Sequence, residues 1–220
     1  CNAEGIPSDI SNHSFKAAHL FAEAFSIEQG ISIRLNKTVP SQAGLGGGSA
    51  NAGYTLLGLC QLFDIAPVDK SIHAIASEIG SDVPFFLTGG TAVARGRGEM
   101  ITPIVDLPLL YFVVVKPHES VSTGAAYSAL DSIADRQSVR GTMRMEAAVV
   151  SGDIDQIISR LSNDFESVIL EKYPVIAEVF DDFWMARAAN VRLCGSGAAV
   201  FGVCRTLPEA EYTARLMRLK

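Results

Sequence analysis

Pro40-Ser41-Gln42-Ala43-Gly44-Leu45-Gly46-Gly47-Gly48-Ser49-Ala50 places glycine at four of the five positions 44 to 48. A backbone so free of Cβ atoms serves positive φ angles or a very close approach by another group. Upstream, from Ile31, the residues alternate, with Ile33 and Leu35 on one face and Ser32, Arg34 and Asn36 on the other, which is the period of a half-buried strand. Downstream, Ala52, Leu56, Leu59, Cys60 and Phe63 recur at helical spacing. The unit reads as strand, glycine loop, helix. In such a loop successive amides converge on phosphate oxygens, and the following helix presents the positive end of its dipole. A plain turn between packed elements is the simpler account of a single Gly-Gly pair, whereas four glycines ahead of Ser49 favour an anion site. Ser49 suits a helix cap or a contact to phosphate and metal, and the two roles are compatible.

The spelling excludes other phosphate loops. No GK[ST] ending follows, so this is not a Walker A loop, and Ser49 stands where the dinucleotide fingerprint requires its third glycine. There is no GxSxG elbow and no HExxH pair, and His13, His19, His73 and His118 form no ligand cluster, which leaves them surface or packing roles.

Outward from the loop, Asn12 is placed to cap a helix over 12–27, with Phe15, Leu20, Phe21, Ala24 and Phe25 at helical spacing. Asp69 to Ile79 reads as a further helix. Gly80 to Pro84 reads as a loop stiffened by Pro84, which fixes its own φ and restricts Val83. That loop carries Asp82, a candidate general base for a hydroxyl that attacks a phosphoryl group, although a lone Asp after Gly-Ser is commonly a turn or cap residue. Thr91 to Arg95 reads as a strand with a Gly-Arg-Gly turn behind it. Leu107 to Val115 reads as a buried strand, followed by helices near 123–130, 143–161, 163–171 and 174–188. Strands 190–194 and 198–204 flank Gly195-Ser196-Gly197, a weak signal alone because hairpins also use glycine. Leu207 to Lys220 closes the chain as a helix. A composition shift near residue 105 divides it into two domains, 1–105 and 106–220.

The 220 residues are 48% hydrophobic with mean hydropathy +0.25, yet no apolar run approaches the ~18–20 residues of a membrane span. Net charge is -6, pI is 5.2 and the basic residues are scattered, so neither nucleic acid nor a membrane is expected as a partner. Any phosphate site must be built locally. Cys1, Cys60, Cys194 and Cys204 show no CxxC spacing, which fits a reduced, cytoplasmic compartment.

Pro40 to Ala52 is similar to the phosphate motif of the GHMP kinases, a Pro followed by GLGSS or GLGGGSS, and the triple glycine before Ser49 resembles their diphosphocytidyl-methylerythritol kinase branch. Ile79-Gly80-Ser81-Asp82-Val83-Pro84-Phe85-Phe86, running on to Gly90, resembles that branch's GADVPFFLxGG, and Arg95-Gly96-Arg97-Gly98-Glu99 its GxGE. Leu193 to Phe201 resembles the third GHMP motif, SGSGPTVF, with Cys194 and Ala198-Ala199 departing from it. Val121 to Tyr127 looks like vSTxxxY, and Asn163-Asp164-Phe165-Glu166 looks like NDLE.

The resemblance implies an α+β, two-lobed GHMP kinase fold. An ATP-binding lobe similar to ribosomal protein S5 domain 2, a mixed sheet with helices on one face, would span 1–105, and a ferredoxin-like lobe 106–220. It implies transfer of the ATP γ-phosphoryl group to the 2-hydroxyl of 4-diphosphocytidyl-2-C-methyl-D-erythritol, in the non-mevalonate route to isoprenoid precursors. Pro40, Ala43, Gly44, Leu45, Gly46, Gly47, Gly48 and Ser49 would bind nucleotide together with Gly195, Ser196 and Gly197. Ser49 would also meet Mg²⁺, Asp82 would deprotonate the hydroxyl, and Thr123 and Tyr127 would hold the cytidine side. A monomer or weak homodimer is expected.

Three positions, Gln42, Ala50 and Gly53, depart from the commoner Gly, Ser and Ala. The family's opening KINLxL strand with its lysine and its DGYH segment have no counterpart. Cys1 to Ile6 resembles a point roughly 60 residues into such enzymes, so a fragment or a gene lacking its start is expected. Lys37 matches a family strand position and is not taken for the missing lysine. Alternatives are a GHMP kinase for mevalonate, homoserine or a sugar, or an inactive nucleotide-binding remnant.

Overall fold

In the computed structural model, which describes residues 1–3, 5–133 and 141–220, Asn12 accepts a hydrogen bond from the Ser14 amide and starts α1 (His13–Ala24). Asp69 does the same for Ser71 at the head of α3 (Lys70–Ile79), so both helix starts rest on side-chain caps adjacent in sequence. With α2 (Gly47–Leu62), α4 (Val83–Thr88) and the hairpin β1 (Ala92–Arg95) and β2 (Met100–Pro103) they form a unit of Cys1–Val39 and Gly46–Val105. Its core gathers Phe21, Leu56, Ile72 and Val83, all 0% exposed, each contributing about 1.5–3 kcal/mol by leaving water. The Phe21 ring lies 4.8 Å from Phe25 and 6.0 Å from Phe63.

Three sequence expectations change in this unit. Pro84 lies in the first turn of α4 instead of a loop, where a helix needs no amide donor and proline's fixed φ fits. Met100–Pro103 is a strand the sequence reading missed, paired antiparallel with β1 from Ala92↔Pro103 to Arg95↔Met100. Residues 31–36 are in no ladder among the described residues, and Ile33 is 40% exposed. Alternation encodes which way side chains face, while a strand also needs a neighbour, and there the backbone bond is Asn2 N to Leu35 O at 3.3 Å. The expected mixed sheet is represented, among the described residues, by the β1–β2 hairpin.

The second unit joins Pro40–Leu45 to Asp106–Lys220. Its sheet has the order β3-β5-β4, all antiparallel, with β3 (Tyr111–Val115), β4 (Asn190–Leu193) and β5 (Val200–Cys204). Around it lie α5 (Thr123–Asp131), α6 (Gly141–Ser151), α7 (Ile154–Ser159), α8 (Glu166–Lys172), α9 (Pro174–Met185) and α10 (Leu207–Met217). The core packs Val113, Ile169, Ile176, Phe183, Val191, Leu193 and Val200. The helix expected over 143–161 is two helices, because Gly152 turns at φ 67 and Asp153 then caps α7 by accepting the Gln156 amide. The apolar run 107–115 is not a buried strand throughout. β3 is an edge strand that buries Val113 and leaves Phe112 51% exposed.

Among the described residues no helix is long and apolar enough to cross a membrane.

Candidate functional site

The glycine loop divides between the units at Leu45–Gly46. In the second unit, Pro40–Leu45 lies against the turn after β4. Gln42 O accepts the Ala198 amide at 3.3 Å and Ala43 O the Ala199 amide at 3.1 Å. The turn is closed on itself by Cys194 N to Ala199 O and Gly197 N to Cys194 O, both 2.8 Å. Gly44, at φ 73, sits so close that a Cβ would stand 1.8 Å from the Cys194 carbonyl oxygen, and only glycine fits. Ala43, Cys194 and Ala199 bury one another, with Leu45 and Phe201 packed on them. Burial pushes the Cys194 thiol up to about 11, which keeps it protonated and unreactive at neutral pH.

In the first unit, Gly46 takes a left-handed conformation, φ 66, as the N-cap of α2, and its missing Cβ makes room for the Phe86 ring at 3.2 Å. Gly47, Gly48 and Ser49 form the first turn of α2. No side-chain cap and no acidic residue occupies that turn, so its amides and the positive end of the helix are left for an anion. The place where a Cβ on Gly47 would stand is 2.9 Å from Lys37 Nζ, and the corresponding point at Gly48 is 3.2 Å from His13 Nδ1. The sequence reading set Lys37 and His13 aside. The fold puts both nitrogens beside the glycines; Lys37's nearness along the chain was the signal available, and His13 had none.

Asp82 is the N-cap residue of α4, yet its side chain makes no cap hydrogen bond. The bland role of a capping aspartate is therefore absent, and the carboxylate stands exposed. Its Oδ1 lies 3.8 Å from where a Cβ on Gly98 would be, in the β1–β2 turn. Glu99 serves that turn: its carboxylate accepts the Arg97 amide at 2.8 Å, and backbone hydrogen bonds from its own amide and from Arg97 hold it below the usual carboxylate range.

Back in the second unit, Thr123 Oγ1 and the buried Ser196 Oγ are hydrogen-bonded at 3.2 Å, joining a residue expected on the cytidine side to one expected on the nucleotide side. Tyr127 is 53% exposed and meets Phe165 edge to face at 5.0 Å, so its ring is a supported, open surface and not core. Among the described residues no group of His, Cys, Asp or Glu side chains is arranged to hold a metal by itself.

Residues 12–90 match the family model of the GHMP kinases N terminal domain. The chain is 40% identical over 209 residues to the 4-diphosphocytidyl-2-C-methyl-D-erythritol kinase of Alkaliphilus oremlandii, covering 94% of this chain and 70% of that one. A crystal structure of 4-(cytidine 5'-diphospho)-2C-methyl-D-erythritol kinase superposes with TM-score 0.79 at 32% identity, over 97% of this chain and 76% of the other. A homoserine kinase from Cytophaga hutchinsonii, 22% identical, also reaches TM-score 0.79 over 98% of this chain and 74% of its own, a likeness of fold alone.

Proposed function

Since the chain belongs to the GHMP kinase family, in its 4-diphosphocytidyl-2-C-methyl-D-erythritol kinase branch, we infer that it phosphorylates the 2-hydroxyl of 4-diphosphocytidyl-2-C-methyl-D-erythritol with ATP, a step toward isoprenoid precursors. The observation that carries this is the 40% identity extending over 94% of the chain. The α+β fold of the family is the fold of this chain. Residues 1–105, apart from the Pro40–Leu45 stretch that groups with the second unit, serve as its ATP-binding domain and 106–220 as the second domain.

The roles follow from the groups available. Glycines 46 to 48 and the uncompensated start of α2 hold phosphate oxygens through backbone amides, and Lys37 adds a positive charge there. Pro40 to Leu45 and the 195–197 turn shape the backbone around the nucleotide, with Thr123 and Tyr127 on the cytidine side. Ser49 would be the protein group that meets Mg²⁺ beside the phosphates. When bound, Mg²⁺ offsets phosphate charge. The substrate oxygen forms its bond to the γ-phosphorus as the bond to the β-bridging oxygen breaks, ADP leaves, and the hydroxyl proton passes to Asp82.

The test is ADP release from ATP, Mg²⁺ and the cytidyl substrate. It is run with this chain and with the chain extended by the amino-terminal segment of a relative, each with and without Asp82→Asn. Asp82→Asn is expected to lower turnover by about 10²-fold or more while the thermal midpoint holds, because Asp82 makes no cap bond. Equal turnover in the variant removes Asp82 from the chemistry. ATP binding without turnover in either form favours a nucleotide-binding remnant.

A further inference from the structure

Asn163 lies at the start of the segment leading into α8, far from the glycine turns in sequence, and both protons of its side-chain amide are committed. Nδ2 donates to Leu193 O at 2.9 Å and to Gly195 O at 2.7 Å, while Oδ1 accepts the Phe165 amide at 3.0 Å. The two carbonyls and the one amide fix which end of the side chain is nitrogen. Leu193 and Gly195 flank Cys194, whose carbonyl is the oxygen that Gly44 approaches too closely for any Cβ. Three residues on, Glu166 Oε1 accepts the Leu193 amide at 3.0 Å and its other oxygen lies 3.8 Å from Arg192 Nη1. Leu193 is thus held through both its carbonyl and its amide, by Asn163 and by Glu166.

We propose that Asn163 is a positioning residue of the nucleotide site: by straddling Cys194 it holds the 193–197 turn at the height where its backbone meets Gly44, and so sets the shape of the Pro40–Leu45 stretch. This rests on the reading of that loop and turn as the nucleotide site. Asn163→Asp is the discriminating change, being nearly isosteric and keeping the acceptor for Phe165. It replaces a donor that faces two carbonyl oxygens with an acceptor bearing charge, which expels the turn without opening a cavity.

The experiment measures binding of ATP with Mg²⁺ and of adenosine to the 220-residue chain and two variants, Asn163→Asp and Ile169→Val, with thermal midpoints alongside. Ile169 is a buried core residue of the same unit and controls for lost stability. The expected result is ATP affinity about tenfold or more weaker in Asn163→Asp, with adenosine affinity unchanged and Ile169→Val binding ATP normally. Wild-type ATP affinity in Asn163→Asp overturns the proposal while leaving the site reading intact. ATP weakening in both variants in step with their midpoints overturns it in favour of general stability. If the unmodified chain binds ATP no better than adenosine, the site reading fails and the proposal fails with it.

Discussion

The two halves of the glycine loop use the same residue for different ends. At Gly44 the absent side chain makes room for another stretch of backbone, since a Cβ would stand 1.8 Å from the Cys194 carbonyl oxygen. At Gly47 it makes room beside the mobile tip of a lysine, 2.9 Å from Lys37 Nζ. Backbone cannot yield and a lysine tip can, so the first glycine is a requirement of folding and the second of what the loop holds. A glycine count alone does not separate these.

The largest effect expected from this contrast is Gly44→Ala. It combines a clash with main chain and a positive φ of 73°, and should lose more than about 3 kcal/mol in urea unfolding. A loss under 1 kcal/mol would dissolve the contrast. Gly47→Ala sharpens it from the other side. Stability should change by less than about 1 kcal/mol, because alanine's higher helix propensity offsets small displacements of the Lys37 tip and of exposed Val39, whose Cγ1 would stand 3.2 Å from the new methyl, while ATP affinity falls as a methyl group enters beside the anion position. The smallest effect concerns Cys194. Its thiol is raised from 9.0 to about 11 by burial, so the stability it contributes is fully present below pH 9 and lost as pH rises through about 11. The urea midpoint of Cys194→Ala should accordingly fall less steeply over that interval than that of the unmodified chain. At mildly alkaline pH iodoacetamide should modify exposed Cys1 and spare Cys194.

What could be read from sequence was local. Asn12 and Asp69 cap helices whose amides lie two residues away, and the pattern of α2, with Leu56 and Cys60 buried, needs no distant partner. The glycine loop, the Asp82 segment and the 193–201 turn were visible because each is one short run of chain. Failures came where a distant partner or a start position decides. Strand-like alternation at 31–36 could not say whether a neighbour pairs with it, and Met100–Pro103 is a strand only because β1 lies beside it. Pro84 signals a loop or a helix start depending on which side of it the helix lies. The grip of Asn163 on Leu193 and Gly195 joins segments about thirty residues apart and left no trace in spacing.

Asp82 occupies a helix cap without forming the cap bond, a bond that ordinarily contributes ~1 kcal/mol. Local stability has therefore been left unclaimed where the proposed chemistry occurs. A redesign scored only on thermal resistance would re-aim that carboxylate toward the α4 amides or exchange it for serine, and would select a firmer protein with its base turned away from the substrate.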